Sequence, residues 1–89
     1  MSWTIDFSSQ ALKFLAKNHL TEDEILEKIR LVIRKFNGES VSVDIKKLGG
    51  KWSGFYRIRS GKVRMVIEFK FESQSAFVEV IDWRGNVYK

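Results

Sequence analysis

The sequence predicts an α+β fold, a small and mainly antiparallel sheet of about four strands with two N-terminal helices packed on one face. Three observations predict it. Thr21-Glu-Asp-Glu24 has the form of a capping box and opens a run of apolar residues at helical spacing. From Phe55 onward the apolar spacing falls to two, the period of a half-buried strand. Ser60-Gly61 separates two such alternating runs, and glycine allows the positive backbone angle that a two-residue hairpin loop needs.

Taken in order, Trp3 to Phe7 alternates well enough for a first strand, with Trp3, Ile5 and Phe7 on one side. Ser8 or Ser9 then caps a short helix running to about Asn18, its expected buried stripe being Leu12, Leu15 and Ala16. His19 falls in the connection. The second helix starts at the capping box, where the Thr21 hydroxyl and the Glu24 carboxylate each satisfy a free backbone amide. Ile25, Ile29, Val32, Ile33 and Phe36 form its apolar face, and Asn37-Gly38 supplies residues that tolerate the left-handed conformation at a helix end. A connecting segment follows through Gly49-Gly50. Strands are then expected over Phe55 to Arg59, Lys62 to Phe71 and Ala76 to Trp83, with the polar Glu72-Ser-Gln-Ser75 stretch as a turn.

Eighty-nine residues without a linker-like stretch leave room for one domain, 1–89, because a second core would have too little apolar surface to bury. There is no cysteine, so neither a disulfide nor a thiolate metal site supports the fold, and modest stability is expected. No leader is evident at the start. No stretch approaches the roughly 20 apolar residues of a membrane span, which makes a cytoplasmic protein the default expectation. An enzyme with a resident metal is not expected: there is one histidine, and Glu68, Glu72, Glu79 and Asp82 show no ligand spacing.

The net charge of +5 points to an anionic partner, nucleic acid or acidic protein, and its distribution is more informative than its size. Between Asp44 and Glu68 there is no acidic residue, whereas Lys46, Lys47, Lys51, Arg57, Arg59, Lys62 and Arg64 all fall in that interval. Glu22 to Lys35, by contrast, mixes both signs as a solvated helix face does. With Ser60-Gly61 as the loop, Tyr56 is expected opposite Met65, Arg57 opposite Arg64, Ile58 opposite Val63 and Arg59 opposite Lys62. Tyr56, Ile58, Val63, Met65, Ile67 and Phe69 would then face the helices, and Arg57, Arg59, Lys62 and Arg64 would share the other side. Like charges directly opposed cost up to about 1 kcal/mol per pair. Such pairs suggest a face built for an anion. The alternative is that they deter edge-to-edge pairing, with Glu68 or Glu79 as partners.

Lys47-Leu-Gly-Gly50, Gly54-Phe-Tyr-Arg-Ile-Arg-Ser-Gly61, Val63-Arg-Met-Val66 and Arg84-Gly-Asn-Val-Tyr88 together resemble the pattern of the RelE-type toxins of the RelE/ParE superfamily. The resemblance spans nearly the whole chain. It implies a RelE-like fold and a ribosome-dependent, cofactor-free messenger RNA endonuclease of a type II toxin–antitoxin system, held in check by a cognate antitoxin. By position, Arg57 and Arg59 correspond to an alternating basic pair, Arg64 to the arginine of the next strand, Arg84 to a late arginine and Tyr88 to a terminal tyrosine. Arginines can neutralise the charge that grows on a scissile phosphate, and a tyrosine can stack on a base or exchange a hydrogen bond. Lys46, Lys47, Lys51, Lys62 and Trp83 are the accompanying RNA-binding candidates.

The departures from that pattern are chemical. Many such toxins have lysine in the alternating pair; here both residues are arginine, which stays protonated and is a poor base. Trp83 stands where a histidine is frequent. Lys51, Asp82 and Tyr88 are then the remaining candidates for proton transfer, and no third helix is expected after Tyr88. Three other functions fit the sequence. They are a ParE-type toxin that acts by binding gyrase, an inactive relative that binds RNA or antitoxin, and an unrelated basic interaction domain.

Overall fold

The computed structural model describes residues 3–83, so Arg84 and Tyr88 lie outside the described residues. Among the described residues seven principal elements follow one another: β1 (Thr4–Phe7), α1 (Ser9–Lys17), α2 (Glu22–Phe36), β2 (Asp44–Lys47), β3 (Phe55–Ser60), β4 (Val63–Lys70) and β5 (Ser75–Trp83), with a 3-10 turn at Gly50–Trp52. The strands make one sheet in the order β1-β5-β4-β3-β2. All neighbours are antiparallel except β1 and β5, which run parallel. The α+β expectation holds, with five strands in place of about four.

The additional strand is β2. Its run Asp-Ile-Lys-Lys contains one apolar residue, and it is an edge strand, short and charged as edges that resist further pairing tend to be. The pattern was nevertheless present, because Val41, Val43 and Ile45 alternate, and the last two pack against the core.

Both helices begin where their caps dictate. Ser8 Oγ accepts from the Ala11 amide, and Thr21 and Glu24 complete a reciprocal capping box. The buried stripe of α1 is Ala11, Phe14 and Leu15. Leu12 and Ala16, expected inside, are exposed. The observed set is related by i, i+3 and i+4, so the choice of phase was one residue off. In α2 the expected face is the one buried, centred on Ile25, Ile29 and Val32, and Gly38 (φ 92°) ends the helix.

Under these helices the sheet contributes Ile58, Met65, Ile67, Phe69, Ala76, Val78 and Ile81, which with Ala11, Phe14, Leu15 and the α2 stripe form one continuous core. Phe36 closes one end of it edge-on against Tyr56 and Phe69, with centroids 5.2 Å away in each case. Among the described residues no helix is long and apolar enough to cross a membrane.

The edge of β5 beyond the end of β1 is closed by the side chains of Gln10 in α1 and of Ser8, the residue that caps it. The Gln10 side chain donates to the Ile81 carbonyl (2.8 Å) and accepts from the Ile81 amide (3.0 Å), as a paired strand residue would. The Ser8 hydroxyl donates to the Glu79 carbonyl at 2.6 Å. Backbone groups that would otherwise offer a pairing template are thereby occupied.

Candidate nucleic-acid interface

The β3–β4 hairpin turns one residue later than expected. Ser60 pairs with Val63, so Gly61-Lys62 is the loop, and Gly61 (φ 61°) takes the first loop position, where a type II′ turn needs a positive angle. The partners are therefore Arg57 with Val66, Ile58 with Met65 and Arg59 with Arg64. The anticipated pairs Arg57–Arg64 and Arg59–Lys62 do not form, and Lys62 leaves the strand for the turn. A register shift of two leaves every side chain on its face. Arg57, Arg59 and Arg64 thus share the side away from the helices, as expected.

On β2, Asp44 lies opposite Arg59 and Lys46 opposite Arg57, so both join this open face. Lys47 is opposite Tyr56 and belongs with the helix side. Lys51 is exposed on the 3-10 turn that leads into β3. Of the residues the sequence singled out, the structure brings together Lys46, Arg57, Arg59 and Arg64.

Trp83 is carried elsewhere by a β-bulge. The β4–β5 register jumps between Val66 and Ile67, which pair with Val80 and Val78 and leave Glu79 without a partner on β4. Strict alternation from Ala76 would turn Val80 and Asp82 inward. With the extra residue, Ile81 and Trp83 turn inward instead, and Asp82 lies opposite Arg64 on the open face. The Trp83 ring packs edge-on against Phe14 of α1, with centroids 5.2 Å apart. It is on the opposite face from the arginines. The Asp82 carboxylate accepts from the Trp83 amide at 2.8 Å.

Charge on the open face is organised by Asp44, which sequence reasoning did not single out. One of its oxygens accepts from Arg57 Nη2 at 2.8 Å and the other lies 3.7 Å from Arg59 Nη1. Neither Glu68 nor Glu79, the acids first considered, takes this place. The Arg57 side chain is 11% exposed, and Val66 opposite it is fully buried although it is not part of the core under the helices. Arginine stems lying over apolar surface account for such burial. The Nε atoms of Arg57 and Arg59 are buried without a hydrogen-bond partner among the described residues. Arg59 and Arg64 are directly opposed, the like-charge arrangement that a bound anion would relieve. This surface presents guanidinium donors in a fixed array, suited to a phosphate.

No protein-family model matches this sequence, and neither does any curated protein. Solved structures do match along its whole length. A conserved hypothetical protein from Helicobacter pylori superposes with a TM-score of 0.70 at 15% identity, covering 98% of this chain and 100% of that one. A chain of the archaeal RelE–RelB complex from Pyrococcus horikoshii gives 0.66 at 20% identity, with coverage of 98% and 100%. One from the DinJ–YafQ toxin–antitoxin complex of E. coli gives 0.66 at 15% identity, with both chains covered in full. The order of two helices and five strands among the described residues is therefore the fold of the solved RelE and YafQ chains.

Proposed function

We propose that this chain is the toxin of a type II toxin–antitoxin system, a metal-independent endoribonuclease that cuts messenger RNA on the ribosome in the cytoplasm. The observation that carries the proposal is the convergence of Arg57, Arg59 and Arg64 on one sheet face, in a fold shared with toxins solved in toxin–antitoxin complexes. The RNA's own 2′-hydroxyl is the nucleophile, already held beside the phosphate it attacks. It bonds to phosphorus as the 5′-oxygen leaves, giving a 2′,3′-cyclic phosphate and a 5′-hydroxyl. Arg57, Arg59 and Arg64, with Arg84, hold the phosphate and stabilise its added charge, and Tyr88 stacks on or hydrogen-bonds the adjoining nucleotide. Lys46 and Lys51 contact flanking RNA, with Lys62 reaching it from the hairpin turn; Lys47 and Trp83, on the helix side of the sheet, take no part. Lys51, Asp82 and Tyr88 are the groups to test as proton carriers, since arginine is a poor base. The ribosome supplies substrate geometry that so small a surface does not impose alone. The partner is an acidic antitoxin, partly disordered when free, that folds over basic or apolar surface.

Cleavage is expected to persist when the chain is stripped of metal with chelator before it is added to magnesium-bearing ribosomes, and to stop when deoxyribose replaces ribose at the cut position. Arg64→Ala should slow it by about 100-fold or more while the circular dichroism spectrum is unchanged. Unimpaired cutting by that variant, or cutting of the deoxy substrate, would overturn the mechanism. A relative that binds RNA or antitoxin without cleaving is the second reading, favoured by the Asp44 ion pairs to Arg57 and Arg59. Induction in growing cells separates these: cleaved messages support the nuclease, and intact messages with stalled growth support binding. Stalled replication with damaged DNA would instead support a gyrase-binding toxin.

A further inference from the structure

The loop between β2 and β3 is closed at its base by a bond from the Leu48 amide to the Phe55 carbonyl (3.0 Å), and the 3-10 turn within it is held by Trp52 and Ser53 amides donating to Gly49 and Gly50 carbonyls. Positive φ angles at Gly50 (61°) and Gly54 (89°) turn the chain on either side of Trp52. The result fixes the Trp52 ring edge-on against Phe55, with centroids 5.3 Å apart and planes at 85°. Phe55 is two residues before Arg57 on β3, so both point to the open face. Both aromatic residues are partly exposed, and neither belongs to the core under the helices.

The same face is therefore divided along β3. Arg57, Arg59, Arg64 and Lys46 occupy one part, and Phe55 and Trp52 the next, with Lys51 exposed beside Trp52. Glu68 lies directly across from Phe55. A carboxylate there repels a phosphate but accepts from the exocyclic amino group of a base. Arg57 and Phe55 are about 6.6 Å apart along the strand, close to one step of an extended single strand. A phosphate over the arginines thus brings its neighbouring base over the aromatic pair.

We infer that Trp52 and Phe55 form a base-stacking subsite for single-stranded RNA, taking the base next to the phosphate held by Arg57 and Arg59. This rests on the RNA-directed function proposed above. The test measures affinity of the full chain for a short oligoadenylate and for a ribose-phosphate oligomer of equal length without bases. Trp52→Ala and Phe55→Leu should each weaken oligoadenylate binding, Trp52→Ala by roughly 5- to 150-fold, the worth of one base–aromatic stack. Trp52→Phe should retain most of the affinity. The parent should prefer the base-bearing oligomer, and Trp52→Ala should narrow that preference without changing the salt dependence, because phosphate contacts remain. If the parent binds oligoadenylate, Arg57→Ala weakens it, and a folded Trp52→Ala variant binds within twofold of the parent, the subsite is refuted and the RNA-directed function stands. If the parent binds neither oligomer, the subsite is refuted, while the ribosome-dependent function is decided by the induction experiment above.

Discussion

Asp44 governs the state of the arginine array at the scale of single residues. Its carboxylate sits where an incoming phosphate would meet Arg57 and Arg59, so it holds their heads in position and competes with the phosphate for them. Asp44 is half exposed, which moderates both effects. Asp44→Asn should lower stability by about 1 kcal/mol in urea titration, since a charge-assisted bond to a nearly buried arginine is lost. The same substitution should raise affinity for single-stranded RNA, by up to about fivefold at low salt. Unchanged or weaker binding would show that Asp44 acts only to orient. Its importance was hard to read from the sequence, because pairing across β2 and β3 joins residues 13 apart that share no motif. Arg57, Arg59 and Arg64 were legible because parity on a hairpin survives an error of two in register.

The extra residue in β5 decides, among the elements, which surface each side chain reaches. Ala76 and Val78 point inward before the bulge and Ile81 after it, so no single alternation describes the strand. For this reason the strand itself was legible from its apolar content, whereas the placement of Trp83 was not. A bulged residue can be removed without changing the faces on either side. Deleting Glu79 should therefore leave a cooperative fold, at a cost of less than about 2 kcal/mol that includes the lost Ser8 bond to its carbonyl. Deleting Phe77 drives Glu79 toward the inward position of Val78 and should abolish cooperative unfolding. Equal tolerance of both deletions in urea titration would contradict this account of the strand. The short β2 escaped notice for another reason, its charged edge residues masking the alternation of Val41, Val43 and Ile45. Capping chemistry was the most legible feature, because a cap depends on neighbours in the chain.

For the whole molecule, the helices cover one side of the sheet and leave the other to its charges. The four cations gathered there set the expected electrostatics of binding, about 0.7 counterion released per neutralised phosphate on a single strand. A plot of log affinity against log salt should have a slope near −3 if all four engage phosphate. A slope near zero would assign the net charge of +5 to solubility. The parallel pairing of β1 with β5 has a consequence in time. The Ser8 hydroxyl and the Glu79 carbonyl it meets are 71 residues apart, and every residue of β1 is tied to β5 over a similar interval. At about 5 to 20 residues per second of synthesis, the first strand waits roughly 4 to 14 s for its partner. The arginine hairpin, by contrast, pairs residues no more than 13 apart in the chain. The hairpin that carries the basic face can pair locally, whereas the first strand has no partner in the sheet until β5 has been made.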